Sequence, residues 1–149
     1  MSKKYDAIFI CHGNVNRSRI AEEILKKLRP DLEVDSVAVG VKSSGGKLLT
    51  KKMRTILDEN EVPYNIEKRS KVVDIDEIES AGRVFVMDKN NIKHYKERFG
   101  ERGVEKLEFL GEFIGKERIK DPGFSKGMDD FYSAYDDIYK SCELLAKEI

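Results

Sequence analysis

The stretch from residue 5 to residue 28 commits the chain to a strand, a tight turn and a helix in direct succession. Residues 5–10 (YDAIFI) are rich in β-formers, whereas residues 17–28 (RSRIAEEILKKL) place apolar side chains at Ile20, Ala21, Ile24, Leu25 and Leu28, the spacing of one helical face. Between them lies the octet Cys11-His12-Gly13-Asn14-Val15-Asn16-Arg17-Ser18. A turn running from a strand straight into a helix aims the helix's unpaired first-turn amides, and the positive end of its dipole, at whatever it encloses. That favours an anion, and it favours thiolate over thiol for Cys11 at the start of the cradle. Arg17 adds a planar fork able to grip two phosphate oxygens. Gly13 allows a tight turn or close approach to the anion, and Asn14 and Ser18 can hold the loop through side-chain hydrogen bonds. A cysteine at a strand end is often no more than core. The strand before it, the helix after it and the Gly, Asn and Ser inside the octet make a phosphate-binding nucleophile the leading reading.

Further along, β-like stretches at 33–39, 83–87 and 106–110 follow the one at 5–11, alternating with helical patterns at 17–29, 47–60, roughly 90–99 and 127–148. Strand, helix, strand, helix is the pattern of a parallel sheet covered on both faces, whose ligands bind beyond the carboxyl ends of the strands. The Cys11 turn falls at such an end. With 149 residues and no linker or repeat, residues 1–149 are expected to form a single α/β domain. The 28 basic and 28 acidic residues are spread along the chain, so no net field draws in nucleic acid or an anionic membrane. The apolar part of MSKKYDAIFICHG is too short for a signal peptide and no run reaches transmembrane length, so a cytoplasmic location is expected. Cys11 and Cys142 lie far apart and His12 and His94 are sparse, so no metal site is expected. Residues 129–139 carry Phe131, Tyr132, Tyr135 and Tyr139 mostly on one helical face, which suits core packing. Ser43-Ser44-Gly45-Gly46 has the chemistry of a flexible loop.

FICHGNVNRSRIAEEIL resembles the N-terminal signature of the low-molecular-weight protein tyrosine phosphatases, roughly C-x-G-N-x-C-R-S-P-x-A-E. Residues 83–88 (RVFVMD) with Asn91 resemble the family's third strand and Met-Asp turn. Lys68-Arg69-Ser70 resembles its basic segment, and Ile119-Lys120-Asp121-Pro122 its Asp-Pro loop, so the likeness spans nearly the whole chain. The resemblance implies a four-stranded parallel sheet in flavodoxin-like order with helices on both faces. It also implies a two-step hydrolysis, without metal or cofactor, of phosphotyrosine in proteins or of related aryl phosphates. By the same resemblance Cys11 takes the phosphoryl group as a thiophosphate, Arg17 clamps its oxygens, and Asp121 acts as general acid and then as base. Ser18 helps hold the thiolate, and His12, Gly13, Asn14, Val15, Asn16 and Ser18 surround the phosphate. Taken without the family, Asp-Pro-Gly is more often a plain turn. Phe124, just beyond it, either lines the cleft or plugs the core. The expected partner is a phosphorylated protein or a small aryl phosphate, and the chain is expected to act as a monomer.

The chain departs from the family pattern at four places. Asn16 stands where relatives often carry a second cysteine that forms a reversible disulfide, and Cys142 fits a buried apolar role better than that of a resolving thiol. Arg19 replaces the proline after Ser18, a change that a helix's first turn tolerates. His12 lies at a variable position of the cleft wall, where a cation favours thiolate and anionic substrates and a solvent-facing histidine is the equal alternative. Val41, Lys42, Ser43 and Ser44 stand where relatives present an aromatic wall. Other functions leave different marks. Arginine phosphatases typically have threonine where this chain has Val15, and an arsenate reductase needs two cysteines within 74–100, where there are none. A noncatalytic phosphoprotein-binding module would usually lack Cys11 or Asp121, and a phosphocysteine carrier would not need Asp121. Without a cysteine at position 16, peroxide is expected to drive Cys11 into irreversible oxidation more readily than in relatives that have the pair. Complete recovery with dithiothreitol after long peroxide exposure would refute this.

Overall fold

The computed structural model describes residues 3–40 and 46–149. The loop positions Val41, Lys42, Ser43, Ser44 and Gly45 lie outside the described residues. Four strands, β1 (Ala7–Cys11), β2 (Val34–Ala38), β3 (Arg83–Val86) and β4 (Leu107–Phe109), form one parallel sheet in the order β2-β1-β3-β4. This is the flavodoxin-like arrangement that the resemblance implied. Five helices connect and flank the strands: α1 (Arg17–Leu28), α2 (Lys51–Glu59), α3 (Ile75–Ser80), α4 (Lys89–Phe99) and α5 (Asp129–Glu148). Every residue of β1 and β2 is buried, because crossover helices cover both faces of a parallel sheet. Alternate residues feed two cores. Phe9, Cys11 and Phe85 pack with Ile20, Met53 and Ile138 from α1, α2 and α5, while Ile8, Ile10 and Val86 pack with Ile78 and Tyr95 from α3 and α4.

The strands fall inside the stretches expected for them, shortened by one or two residues at one or both ends. The helix expected over 47–60 begins only at Lys51, because Thr50 caps it by accepting from the Met53 amide at 3.4 Å. The residues before it are drawn elsewhere: the Lys47 amide donates to Ser70 Oγ at 2.8 Å, and Leu48 bridges to Arg69. Helix α3 escaped sequence reading, since six residues are too few to display a period. Asp74 nevertheless caps it, accepting from the amides of Asp76 and Glu77 at 3.0 and 3.3 Å. On α5, Phe131 and Tyr135 are buried and Tyr139 packs against them, as the spacing suggested. Tyr132 instead faces outward and donates to Glu59 at 2.6 Å.

Arg19 is no mere tolerated replacement. It is fully buried and bridges Glu22 at 3.0 Å and Glu23 at 3.2 Å, so the outer side of α1 is not a solvated face. Lys26 and Lys68 each approach Glu22 to 2.5 Å, Lys68 also reaches Asp35 at 2.5 Å, and Lys71 pairs with Asp35. Burial by itself would raise the Glu22 carboxyl, but Lys68, Arg19 and Lys26 outweigh it and hold the group below the ordinary carboxylate range. Asp35 is likewise held low, with Lys68 and Lys71 overcoming burial. A carboxyl depressed in the folded state stabilises the fold above its unfolded value, and that stability disappears as the pH falls through the folded value. The urea midpoint should therefore drop on acidification below about pH 4. Glu22→Gln, which strips Lys68 and Arg19 of their shared carboxylate, should cost about 3–5 kcal/mol at pH 7 and flatten that acid dependence. Paired urea titrations at neutral and acid pH check both.

Candidate active site

The octet at the carboxyl end of β1 closes on itself through Asn14. This residue adopts a left-handed backbone (φ 55), a conformation that asparagine accepts more readily than other side-chain-bearing residues. Sequence reasoning gave Gly13 either a tight turn or a close approach to the anion; Gly13 has no positive φ, and a Cβ there would meet only Val15 at ordinary contact distance. The left-handed turn aims the Asn14 amide at Cys11 Sγ, 3.2 Å away. Ser18 Oγ lies 2.9 Å from the same sulfur.

The side chain of Asn14 fixes the polarity of this loop. Its Oδ1 accepts from the Lys71 amide at 3.2 Å, so Nδ2 must point the other way. Nδ2 donates to Ser18 Oγ at 2.8 Å and to Ser36 Oγ at 2.9 Å. Ser18, having accepted from Asn14, has its own proton free to donate to a thiolate at Cys11, and Ser36 donates its proton to Glu22 Oε1 at 2.7 Å. The chain of hydrogen bonds thus runs outward from one amide group to a carboxylate at one end and to Cys11 at the other. Buried networks of this kind strengthen each member when every group is satisfied.

Arg17 opens α1 and is 2 % exposed. Its Nη1 donates to Asp88 Oδ2 and to the Ile119 carbonyl, both at 2.7 Å, while Nη2 lies 3.7 Å from Asp121 Oδ2. Asp88 can grip the guanidinium because it is itself fixed as the N-cap of α4, in a reciprocal capping box with Asn91. Asp121 caps the short 3-10 turn Pro122–Phe124 by accepting from the Gly123 amide at 2.9 Å. Asp-Pro-Gly thus does form a turn, and the same turn presents a carboxylate to Arg17.

Cys11, Gly13, Val15, Asn16, Arg17 and Asp121 line one cavity of about 160 Å³, together with His12, Gly123 and Phe124. Phe124 is 93 % exposed, which excludes the core-plug reading. His12 is exposed and its ring tilts against that of His94, 5.3 Å between centroids. It also packs on Gly40, whose amide donates to the His12 carbonyl at 2.9 Å; a Cβ on Gly40 would lie 2.9 Å from that oxygen. Asn16 accepts from Thr50 Oγ1 at 2.5 Å, tying the loop to the start of α2. Cys142 is fully buried, with its sulfur 3.8 Å from the Ala21 carbonyl, and burial pushes its thiol up. It is suited to packing and not to thiol exchange.

Sequence reasoning did not pick out Ser36, Glu22, Asp88 or His94 as parts of the site. The three-residue spacing of Asp88 and Asn91 was a readable capping signal; a lone serine inside a buried strand gave none. Among the described residues no group of three or more His, Cys, Asp or Glu side chains could hold a metal ion, and no helix is long and apolar enough to cross a membrane. A sulfur with two hydrogen-bonding groups, a buried guanidinium and a facing carboxyl is an arrangement that can accept a phosphoryl group and manage a proton beside it. Ser18→Ala removes one of the two groups at the sulfur and should slow alkylation of Cys11 by iodoacetate at mildly acidic pH by about fivefold. An unchanged rate would mean that the hydroxyl does not hold the thiolate.

The chain matches the model of the family described as low molecular weight phosphotyrosine protein phosphatase over residues 6–149. It is 28% identical over 150 residues to low molecular weight phosphotyrosine protein phosphatase 1 of Drosophila melanogaster, covering 95% of this chain and 94% of that one. The crystal structure of a Drosophila arginine phosphatase superposes with a TM-score of 0.82 at 27% identity, covering 96% of each chain. Vibrio vulnificus Wzb in complex with benzylphosphonate has a TM-score of 0.85 over 96% of this chain and 97% of its own; at 23% identity it speaks to the fold alone.

Proposed function

This chain belongs to the low molecular weight phosphotyrosine protein phosphatase family and is a cysteine-based phosphatase, and from that premise we propose that it hydrolyses phosphotyrosine in proteins, without a bound metal, through a phosphocysteine intermediate. The observation that carries the reading is the convergence of Cys11, Arg17 and Asp121 on one small cavity. The Cys11 thiolate attacks phosphorus as the bond to the phenolic oxygen breaks, and Asp121 gives that oxygen its proton. Arg17 and the first-turn amides of α1 bear the charge on the three spectator oxygens. Asp121, now a carboxylate, takes a proton from the water that attacks the thiophosphate. Inorganic phosphate leaves and the thiolate returns, held by Ser18 and the Asn14 amide.

Phosphotyrosine is favoured over phosphoarginine by the surroundings of the cavity. Val15 offers an apolar contact and Phe124 an exposed ring on which a phenyl group can stack. Asp88 and Asp121, the carboxylates beside the cavity, already face Arg17, which leaves none dedicated to a guanidinium. The arginine phosphatase reading retains the support of the 27% identical Drosophila structure. In EDTA and reductant at mildly acidic pH, the native chain should turn over para-nitrophenyl phosphate, Cys11→Ser should abolish turnover, and Asp121→Asn should lower kcat by about 10²–10⁴-fold. No turnover by the folded native protein would favour a binding or carrier role. Faster release of phosphate from phosphoarginyl than from phosphotyrosyl peptides would reassign the substrate.

A further inference from the structure

A second cavity, of about 460 Å³, opens off the first. The two share His12, Arg17, Asp121 and Phe124, so a side chain next to a phosphotyrosine in the small cavity has this space in front of it. The far wall is built from Asn90, His94, Arg118 and Lys120. Its carboxylates are Asp88 and Asp121, and both are turned to Arg17, at 2.7 and 3.7 Å. Lys120 is paired with Asp130 at 3.0 Å, and Glu117 in the adjoining groove is paired with Lys89 at 3.2 Å. Arg118 is exposed and, among the described residues, forms no ion pair or hydrogen bond.

This wall therefore carries an exposed cation without a counter-charge, beside the space that a residue next to the phosphotyrosine would enter. We propose that the larger cavity is a subsite for a carboxylate side chain flanking the phosphotyrosine, with Arg118 as its principal anchor. The inference rests on the phosphotyrosine phosphatase reading and deepens it: the preferred substrates are acidic peptides. Arg118 lies just before Ile119, whose carbonyl binds Arg17, so the anchor is carried on backbone that is fixed relative to the phosphate pocket. An Arg–carboxylate contact at a partly open site is worth a modest factor and weakens with salt.

The test uses two phosphotyrosyl peptides that differ only in glutamate or glutamine at the residues flanking the phosphotyrosine. The native enzyme should show a kcat/KM about fivefold higher for the glutamate peptide at low ionic strength, with the preference shrinking at about 0.5 M salt. Arg118→Gln should bring the ratio close to one, and Arg118→Glu should invert it. Circular dichroism confirms that these surface variants fold. Equal turnover of the two peptides by the native enzyme, or a glutamate preference that survives Arg118→Gln, overturns the subsite and leaves the phosphatase reading standing. Turnover of neither peptide overturns both.

Discussion

The hydrogen bonds of Asn14 hold the loop in the one shape in which its parts can work together. A left-handed asparagine is strained unless its surroundings determine it, and here the amide side chain is gripped by the Lys71 backbone, Ser18 and Ser36. That grip aims the Asn14 N–H at Cys11 and leaves the Ser18 proton free to donate to the same sulfur. It also joins the loop to the neighbouring strand, since Ser36 lies in β2 and passes the connection to Glu22 on α1. The loop is thus braced from the strand, the helix and the crossing chain at Lys71.

Glu22 ends that network and also sits at the centre of the buried ion-pair cluster with Arg19, Lys26 and Lys68. Buried charges of this kind are weak sources of net stability, because desolvation offsets much of their attraction. Their fixed geometry is the more useful property. One carboxylate receives the proton of Ser36 and three cations at once, so the loop's orientation is anchored to a group that can scarcely move.

Much of this was legible from particular residues. The alternation of residues 5–11 with 17–28 announced the strand–turn–helix unit, and the order of Cys11, Asn14, Arg17 and Ser18 announced the anion cradle. Asp121 was visible only through the likeness to a family, because an Asp-Pro-Gly turn carries no chemical signal of its own. The burial of Arg19 was hidden for a physical reason: charged residues at positions 19, 22, 23 and 26 have the spacing of a solvated helix face, and only the arrival of Lys68, Asn65 and Asp35 from other elements turns that face inward. The left-handed residue Asn14 was not foreseen, because glycine is the usual tenant of such a position and nothing local revealed that Ser36, 22 residues away, would stabilise an asparagine there. His94 and Arg118 gave no signal, since their meaning lies in a cavity assembled from distant segments.

The close approach of Gly40 to His12 has an evolutionary consequence. A side chain at position 40 would collide with backbone, so this wall of the cleft cannot be varied without deforming the loop that ends in Arg17. The side chains of Phe124 and Arg118 themselves stand outside the sheet and exposed, although their neighbours Ile119 and Asp121 are tied to the core and to Arg17. On the proposed roles of Phe124 and Arg118, descendants of this chain can therefore drift in what they recognise while their chemistry stays fixed. The fold separates a portion that selection must conserve from a portion that it is free to explore.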